Sequence, residues 1–123
     1  MAVLAINGHL PKASWPRLYE SMGEDPYAAS VMGEAYLKGL QGDDPNNIDE
    51  YHVGTCLKHY FGYGVPDNGI DRTPANVNEQ DLREKLFTPF LKAFQNGAIA
   101  TMTNSSILNG MNGVATRSFC NNG

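Results

Sequence analysis

Apolar residues recur along this chain in two rhythms. Short apolar runs at residues 3–6, 53–57 and 98–102 alternate with longer stretches in which apolar residues return every three or four positions. Asp25-Pro26 predicts the first helix start, because an Asp side chain accepts free amide hydrogens and Pro is preset for the first turn. Tyr27, Val31 and Ala35, with Ala28, Met32 and Tyr36, then follow at helical spacing. Gly39 and Gly42 flank the stop, and a polar loop runs over residues 43–47. The run Val-Gly-Thr-Cys-Leu at 53–57 reads as a buried strand ending at Lys58-His59, and a Gly- and Pro-containing loop follows over 62–77. The second helix opens at Asn78, with Glu79 and Asp81 suited to the positive end of the helix dipole. Leu82, Leu86, Phe90 and Phe94 step by four along one face, with Phe87 and Leu91 beside them. Pro89 lies inside this pattern and predicts a kink. Asn96-Gly97 closes the helix, residues 98–102 form a third strand, and 103–113 read as a polar loop.

The order is therefore β-α-β-α-β, with connections long enough for parallel pairing, which predicts an α/β fold. Polar residues gather after each strand, where α/β sheets and barrels place their sites. A complete (β/α) barrel needs about 250 residues. With 123 residues the expectation is a partial barrel of about half that, a single incomplete domain over residues 1–123. Hydrophobic residues make up 41% and charged residues 18%, which fits a folded chain rather than a disordered one. The formal net charge of -4 comes with no basic patch, so no nucleic-acid or membrane partner is expected. Residues 1–6 are too short for a secretory apolar region, and no run approaches a membrane span. Cys56 and Cys120 fit no metal or redox spacing; Cys56 reads as a buried thiol, and a bridge between the two is left open. No metal or cofactor motif is present.

Candidate chemistry sits in three segments. Trp15-Pro-Arg17-Leu-Tyr-Glu20 leads into the first helix. Arg17 offers a planar fork to two adjacent hydroxyls, or alternatively clamps Glu20 or Glu24. Lys58-His59 ends a buried strand, where an unpaired ammonium is costly to bury, so both side chains are candidate donors to a polar ligand, or alternatively a surface Lys and a hydrogen-bonded His. The loop Asp67-Asn68-Gly69-Ile70-Asp71-Arg72 is rich in turn residues, and Asp71 with Arg72 reads as a pair shaping the rim of a site. Asn104-Ser105-Ser106 is a glycosylation triplet that its place at a strand end leaves unmodified.

Taken in order, these motifs resemble glycoside hydrolase family 3. The family's Trp-Gly-Arg-x-Tyr-Glu-x-x-Gly-Glu-Asp-Pro-Tyr is similar to Trp15 through Tyr27, with Pro16 for the first Gly. Its Tyr-x-Lys-Gly-Leu-Gln-Gly matches Tyr36 to Gly42, and its Lys-His-Phe/Tyr-x-Gly-x-Gly matches Lys58 to Gly64. Asn68 to Pro74, Glu79 to Glu84 and Met102 to Gly110 match three further motifs, so the resemblance covers residues 15–110. It implies a barrel-like domain that binds a terminal β-linked sugar, with Arg17, Lys58 and His59 on the sugar hydroxyls. The partner it implies is a β-linked oligosaccharide or glucoside, and no cofactor. Retaining hydrolysis in the family uses an Asp nucleophile and an acid/base. The resemblance puts the first in a Ser-Asp-Trp-like segment past Gly123, and the second in another domain. The expectation is a chain that holds sugar, lacks both catalytic carboxylates, and needs the rest of the barrel and a second domain. A substrate-binding Asp of the family is expected near Asn7-Gly8-His9 and is not there; a family Tyr is replaced by Ser105, and its His-Ala is not evident at Val114-Ala115. The loop 65–73 has no His, unlike the hexosaminidase branch, which favours the β-glucosidase type.

Two other readings compete. One is a non-catalytic module that binds carbohydrate or completes a partner's fold. The other is a small enzyme using Asp67 or Asp71, which is disfavoured because retaining chemistry needs two facing carboxyls about 5–5.5 Å apart, and one loop is a poor platform for them.

Overall fold

The computed structural model describes residues 2–5 and 13–113. Strand β1 (Ala2–Ala5), β2 (Thr55–Tyr60) and β3 (Ala100–Thr103) form one parallel sheet in the order β1-β2-β3. β2 is the central strand, and its first half (Thr55, Cys56, Leu57) is buried. The crossover from β1 to β2 contains α1 (Pro26–Gln41). The crossover from β2 to β3 contains α2 (Glu79–Asp81), a π-helical turn (Leu82–Phe87) and α3 (Thr88–Gln95). The β-α-β-α-β order expected from the sequence is thus present, and α1 packs against α3.

Helix α1 starts as the sequence predicts: the Asp25 carboxylate accepts from the Tyr27 amide at 2.8 Å, and Pro26 occupies the first turn. Gly42 ends it with φ 83, a left-handed value that favours glycine, and its N–H returns to the Lys38 carbonyl. The buried stripe is not the one expected. Ala29, Ser30, Gly33, Leu37 and Gln41 are buried, whereas Tyr27, Val31, Met32 and Tyr36 are exposed. Small residues at i and i+4 let a helix backbone lie close to its neighbours, and that outweighs the size of the side chains on the other stripe.

The second helical region follows the expected face. Leu82, Leu86, Phe90 and Ala93 are buried, with Phe87 and Phe94 partly buried beside them. Asn78 caps it by accepting from the Asp81 amide at 2.8 Å. Pro89 produces a different irregularity from the kink predicted. The helix widens to π geometry over Leu82–Phe87 and resumes with Pro89 in the first turn of α3. The wider turn makes room for a ring that would otherwise meet the carbonyl four residues back. The Thr88 hydroxyl donates to the Glu84 carbonyl at 2.7 Å there.

The core joins Leu37, Leu57, Phe61, Val65, Ala75, Leu82, Leu86, Phe90, Ala93 and Leu108. Tyr60 meets Phe87, Phe90 and Phe94 at edge-on angles, with centroids 5.4–6.2 Å apart. Strand boundaries move relative to the sequence reading. β2 starts at Thr55 and runs on through Lys58 and His59 to Tyr60 instead of ending at Lys58-His59, and β3 starts at Ala100, with Thr101 to Thr103 exposed. Residues 103–113 are not a simple loop. β4 (Ile107–Leu108) and β5 (Met111–Asn112) pair antiparallel across Asn109-Gly110, both at positive φ (50 and 78). That is the turn Asn-Gly favours in a two-residue hairpin.

A candidate sugar-binding site

The site assembles at the C-terminal half of β2. Registered pairing with β3 matches Lys58 to Met102 and then Tyr60 to Thr103, so His59 is skipped. The Lys58–His59 peptide bond is cis. Because the ladder skips His59, Lys58 and His59 both border one polar cluster while Tyr60 turns to the aromatic core. In a regular strand, neighbours would point to opposite faces.

Arg17 and Glu20 bracket the short turn Leu18–Glu20, and Trp15, buried to 2% exposure, anchors it. Gly64 lies against that indole: a Cβ there would stand 3.3 Å from Trp15 Cζ3. Arg17 grips Glu20 through two parallel bonds, Nε to Oε1 at 2.9 Å and Nη2 to Oε2 at 2.7 Å. Its Nη1 donates to the Tyr63 hydroxyl at 2.9 Å. Of the two clamps the sequence allowed, Glu20 is the one formed. Lys58 Nζ lies 3.7 Å from Glu20 Oε2, so one carboxylate stands between two cations. The hydrogen bond from Arg17, reinforced by the charges of Arg17 and Lys58 against the opposing effect of burial, holds the Glu20 carboxyl below its usual range. The same bond pushes the Arg17 guanidinium further up.

His59 lies against the Tyr63 ring, centroids 4.2 Å apart. Burial, followed by the positive charges of Arg17 and Lys58, lowers its pKa to about 4, so the ring is neutral at ordinary pH. Among the described residues its buried Nδ1 has no hydrogen-bond partner. Asp71 Oδ1 accepts from both Trp15 Nε1 and Tyr63 Oη, each at 2.9 Å. Burial alone would raise the Asp71 carboxyl, but these two donors, with Arg17 and Arg72 nearby, carry it below its usual range. Arg72 sits at the rim, where a hydrogen bond with Tyr63, followed by the charge of Asp71, pushes its guanidinium further up. It has a positive φ of 63, a largely exposed side chain, and a looser 3.7 Å contact to Asp71. The expected Asp71–Arg72 pair is therefore secondary to the bonds Asp71 makes with Trp15 and Tyr63.

The structure thus brings Arg17, Lys58, His59 and Asp71 into one cluster and leaves Arg72 at its edge. The sequence reading gave no role to Tyr63, the hub that touches Arg17, His59, Trp15 and Asp71. Its signal was there in Gly62-Tyr63-Gly64, an aromatic between two residues that permit close approach. Both carboxylates, held below their usual range, accept hydrogen bonds from their neighbours in the cluster. Asp67 is likewise engaged, accepting from Asn76 N at 3.1 Å and from its Nδ2 at 2.5 Å. Asn104 is buried, donates to the Phe61 carbonyl at 3.1 Å and accepts from Ser106, which withdraws its amide from modification. Among the described residues no group of three His, Cys, Asp or Glu could hold a metal ion, and no helix is long and apolar enough to cross a membrane. Cys56 is a buried free thiol; Cys120, Asn7-Gly8-His9 and Val114-Ala115 lie outside the described residues.

The family model "Glycosyl hydrolase family 3 N terminal domain" matches residues 3–119. This chain belongs to glycosyl hydrolase family 3. It is 43% identical over 104 residues to a lysosomal beta glucosidase of Dictyostelium discoideum, covering 79% of this chain and 12% of that protein. It is 38% identical over 90 residues to a beta-xylosidase of Formosa agariphila, covering 73% of this chain and 12% of the relative. A beta-glucosidase from Listeria innocua solved in complex with glucose superposes with a TM-score of 0.87 at 25% identity, over 96% of this chain and 17% of that one. The chain therefore spans about an eighth of the length of these curated relatives.

Proposed function

We propose that this chain is the sugar-holding segment of a retaining β-glycosidase of the β-glucosidase type. In this reading Arg17, Lys58 and His59 bind hydroxyls of the terminal β-linked sugar, and Asp71 and Arg72 shape the site. The observation that carries it is the convergence of Arg17, Lys58 and neutral His59 on the Glu20–Tyr63 cluster at the end of a central parallel strand. α/β barrels place their sites at that end of their strands. A neutral polyol needs donors fixed in space more than it needs charge, and the cluster provides donors whose charges are already paired. The three parallel strands are read as part of a barrel that further chain closes. The nucleophile and the acid/base, with the second domain that carries the latter, belong to that further chain.

The test is a glucose titration followed by the fluorescence of Trp15, the one tryptophan in the sequence. Saturable binding that is markedly weakened in Arg17→Ala and in Lys58→Ala is expected. A wild-type chain whose signal does not respond to glucose, or variants that bind as well as wild type, would overturn the assignment. A second reading, a fragment that completes a partner's fold, is favoured by the exposed outer strand β3 and by exposed Ile99 and Met102. It predicts no hydrolysis of a chromogenic β-glucoside by this chain alone, and recovery of hydrolysis when the missing part of a relative is supplied.

A further inference from the structure

We infer that Tyr63 and Asp71 are positioning residues that fix the direction in which Arg17 presents its free donors; the sugar arm of the test below rests on the proposed function. An ionised carboxylate only accepts hydrogen bonds, and a tyrosine hydroxyl has one proton. Asp71 Oδ1 takes the Tyr63 proton at 2.9 Å and the Trp15 indole N–H at 2.9 Å. With its proton committed to Asp71, the Tyr63 oxygen can meet Arg17 only as an acceptor, and Nη1 donates to it at 2.9 Å. Every bond in the chain from Trp15 to Arg17 therefore has one possible polarity.

The guanidinium has five N–H donors. Nε and one hydrogen of Nη2 go to Glu20, and one hydrogen of Nη1 goes to Tyr63. Among the described residues this leaves one donor on Nη1 and one on Nη2, on adjacent terminal nitrogens. Two donors on adjacent terminal nitrogens suit two neighbouring hydroxyls of a sugar ring. Glu20 alone would hold only one edge of the guanidinium. Tyr63 pins the opposite corner, and Asp71 keeps Tyr63 in the accepting state. The Tyr63 ring itself is buried, with Trp15 edge-on at 5.6 Å and His59 at 4.2 Å, so the hydroxyl has little room to turn elsewhere.

The direct readout is the side-chain NMR spectrum of the nitrogen-15-labelled chain, with Arg17→Lys identifying the Arg17 guanidinium signals. In the wild type, the terminal N–H signals of Arg17 are expected to be resolved, because both ends are tethered and rotation is slow. In Tyr63→Phe, which keeps the ring, and in Asp71→Asn, they are expected to merge, while the far-UV circular dichroism stays that of the wild type. Resolved signals in Tyr63→Phe would overturn the inference, as would signals already merged in the wild type. The second arm measures glucose affinity. Tyr63→Phe is expected to weaken it about tenfold, the loss of one charge-assisted contact. The Tyr63→Phe/Arg17→Ala double variant is expected to be no weaker than Arg17→Ala alone. Multiplying losses would mean that Tyr63 acts independently of Arg17 and would also overturn the inference. A wild-type chain that takes up no glucose sinks the sugar-binding reading, and the NMR spectra still decide the positioning.

Discussion

Replacing Gln41 by Leu removes one buried amide that ties three elements together. Gln41 ends α1 at 1% exposure; its Nε2 donates to the Gly97 carbonyl at 2.9 Å, after α3, and its Oε1 accepts from the Thr55 amide at 2.9 Å, at the start of β2. The Thr55 hydroxyl donates to the same oxygen. Leucine has a similar volume, so the packing loss is small and the polar loss dominates. Gly97 is only half-buried, so its carbonyl is the least costly of the three groups to strand. The Thr55 amide and hydroxyl are fully buried and would be left unpaired. An unpaired buried donor costs about 1–3 kcal/mol, so two give about 2–6 kcal/mol, a large share of the roughly 5–15 kcal/mol typical of a folded domain. Urea unfolding followed by far-UV circular dichroism and by Trp15 fluorescence measures this. Adding Thr55→Val removes one of the two stranded groups and should recover about 1 kcal/mol or more of the loss. A Gln41→Leu chain within about 0.5 kcal/mol of wild type, the range of an ordinary surface change, would refute the claim that this amide is the joint between α1, β2 and the turn after α3.

Other substitutions and conditions test separate parts of the structure. His59 is neutral in the fold down to about pH 4, whereas an unfolded histidine takes up its proton near 6.5. The unfolded state therefore binds more protons between those values, and stability is expected to fall as pH drops from 6.5 to 4; His59→Gln should flatten that slope in urea midpoints measured across the range. Asn109 accepts from the Val77 amide and donates to the Val77 carbonyl, both at 2.8 Å, and sits at φ 50. Asn109→Ala should lower stability by about 1–2 kcal/mol, and Asn109→Gly, which relieves the backbone but not the lost bonds, by less. Gly69 has φ 75, and a Cβ there would lie 1.9 Å from Ser14 Oγ; Gly69→Ala should cost at least about 1 kcal/mol in thermal or urea unfolding.

The second helix was the most legible element, because Leu82, Leu86 and Phe90 are large, spaced by four and all buried. The face of α1 was misread because Tyr27, Val31, Met32 and Tyr36 outweigh Ala29 and Gly33 in any count of apolar bulk, although the small residues are the ones buried. Close helix packing selects against size, and a sequence pattern weights it the other way. The hairpin β4–β5 was missed because two-residue strands are too short to show alternation, although Asn109-Gly110 between apolar neighbours was the available signal. Gln41 stood in a matched motif, but nothing in the local sequence reveals that one amide reaches Gly97 and Thr55. In the site, Arg17, Lys58 and His59 were visible as polar residues at element ends. Tyr63 and Asp71 were not legible as partners, since their bonds to Arg17 and Trp15 span 46 and 56 residues.

The ion pairs of the site nearly cancel. Arg17 and Lys58 are offset by Glu20 and Asp71, His59 adds no charge above about pH 4, and the exposed Arg72 at the rim leaves a single positive charge over. A site of this kind exerts little long-range pull, so a ligand reaches it by unassisted diffusion and salt has little to screen. Encounter should therefore proceed at nearly the same rate in dilute buffer and at high ionic strength, and a sugar bearing a carboxylate or sulfate should gain little head start over a plain one, with that little lost on Arg72→Ala.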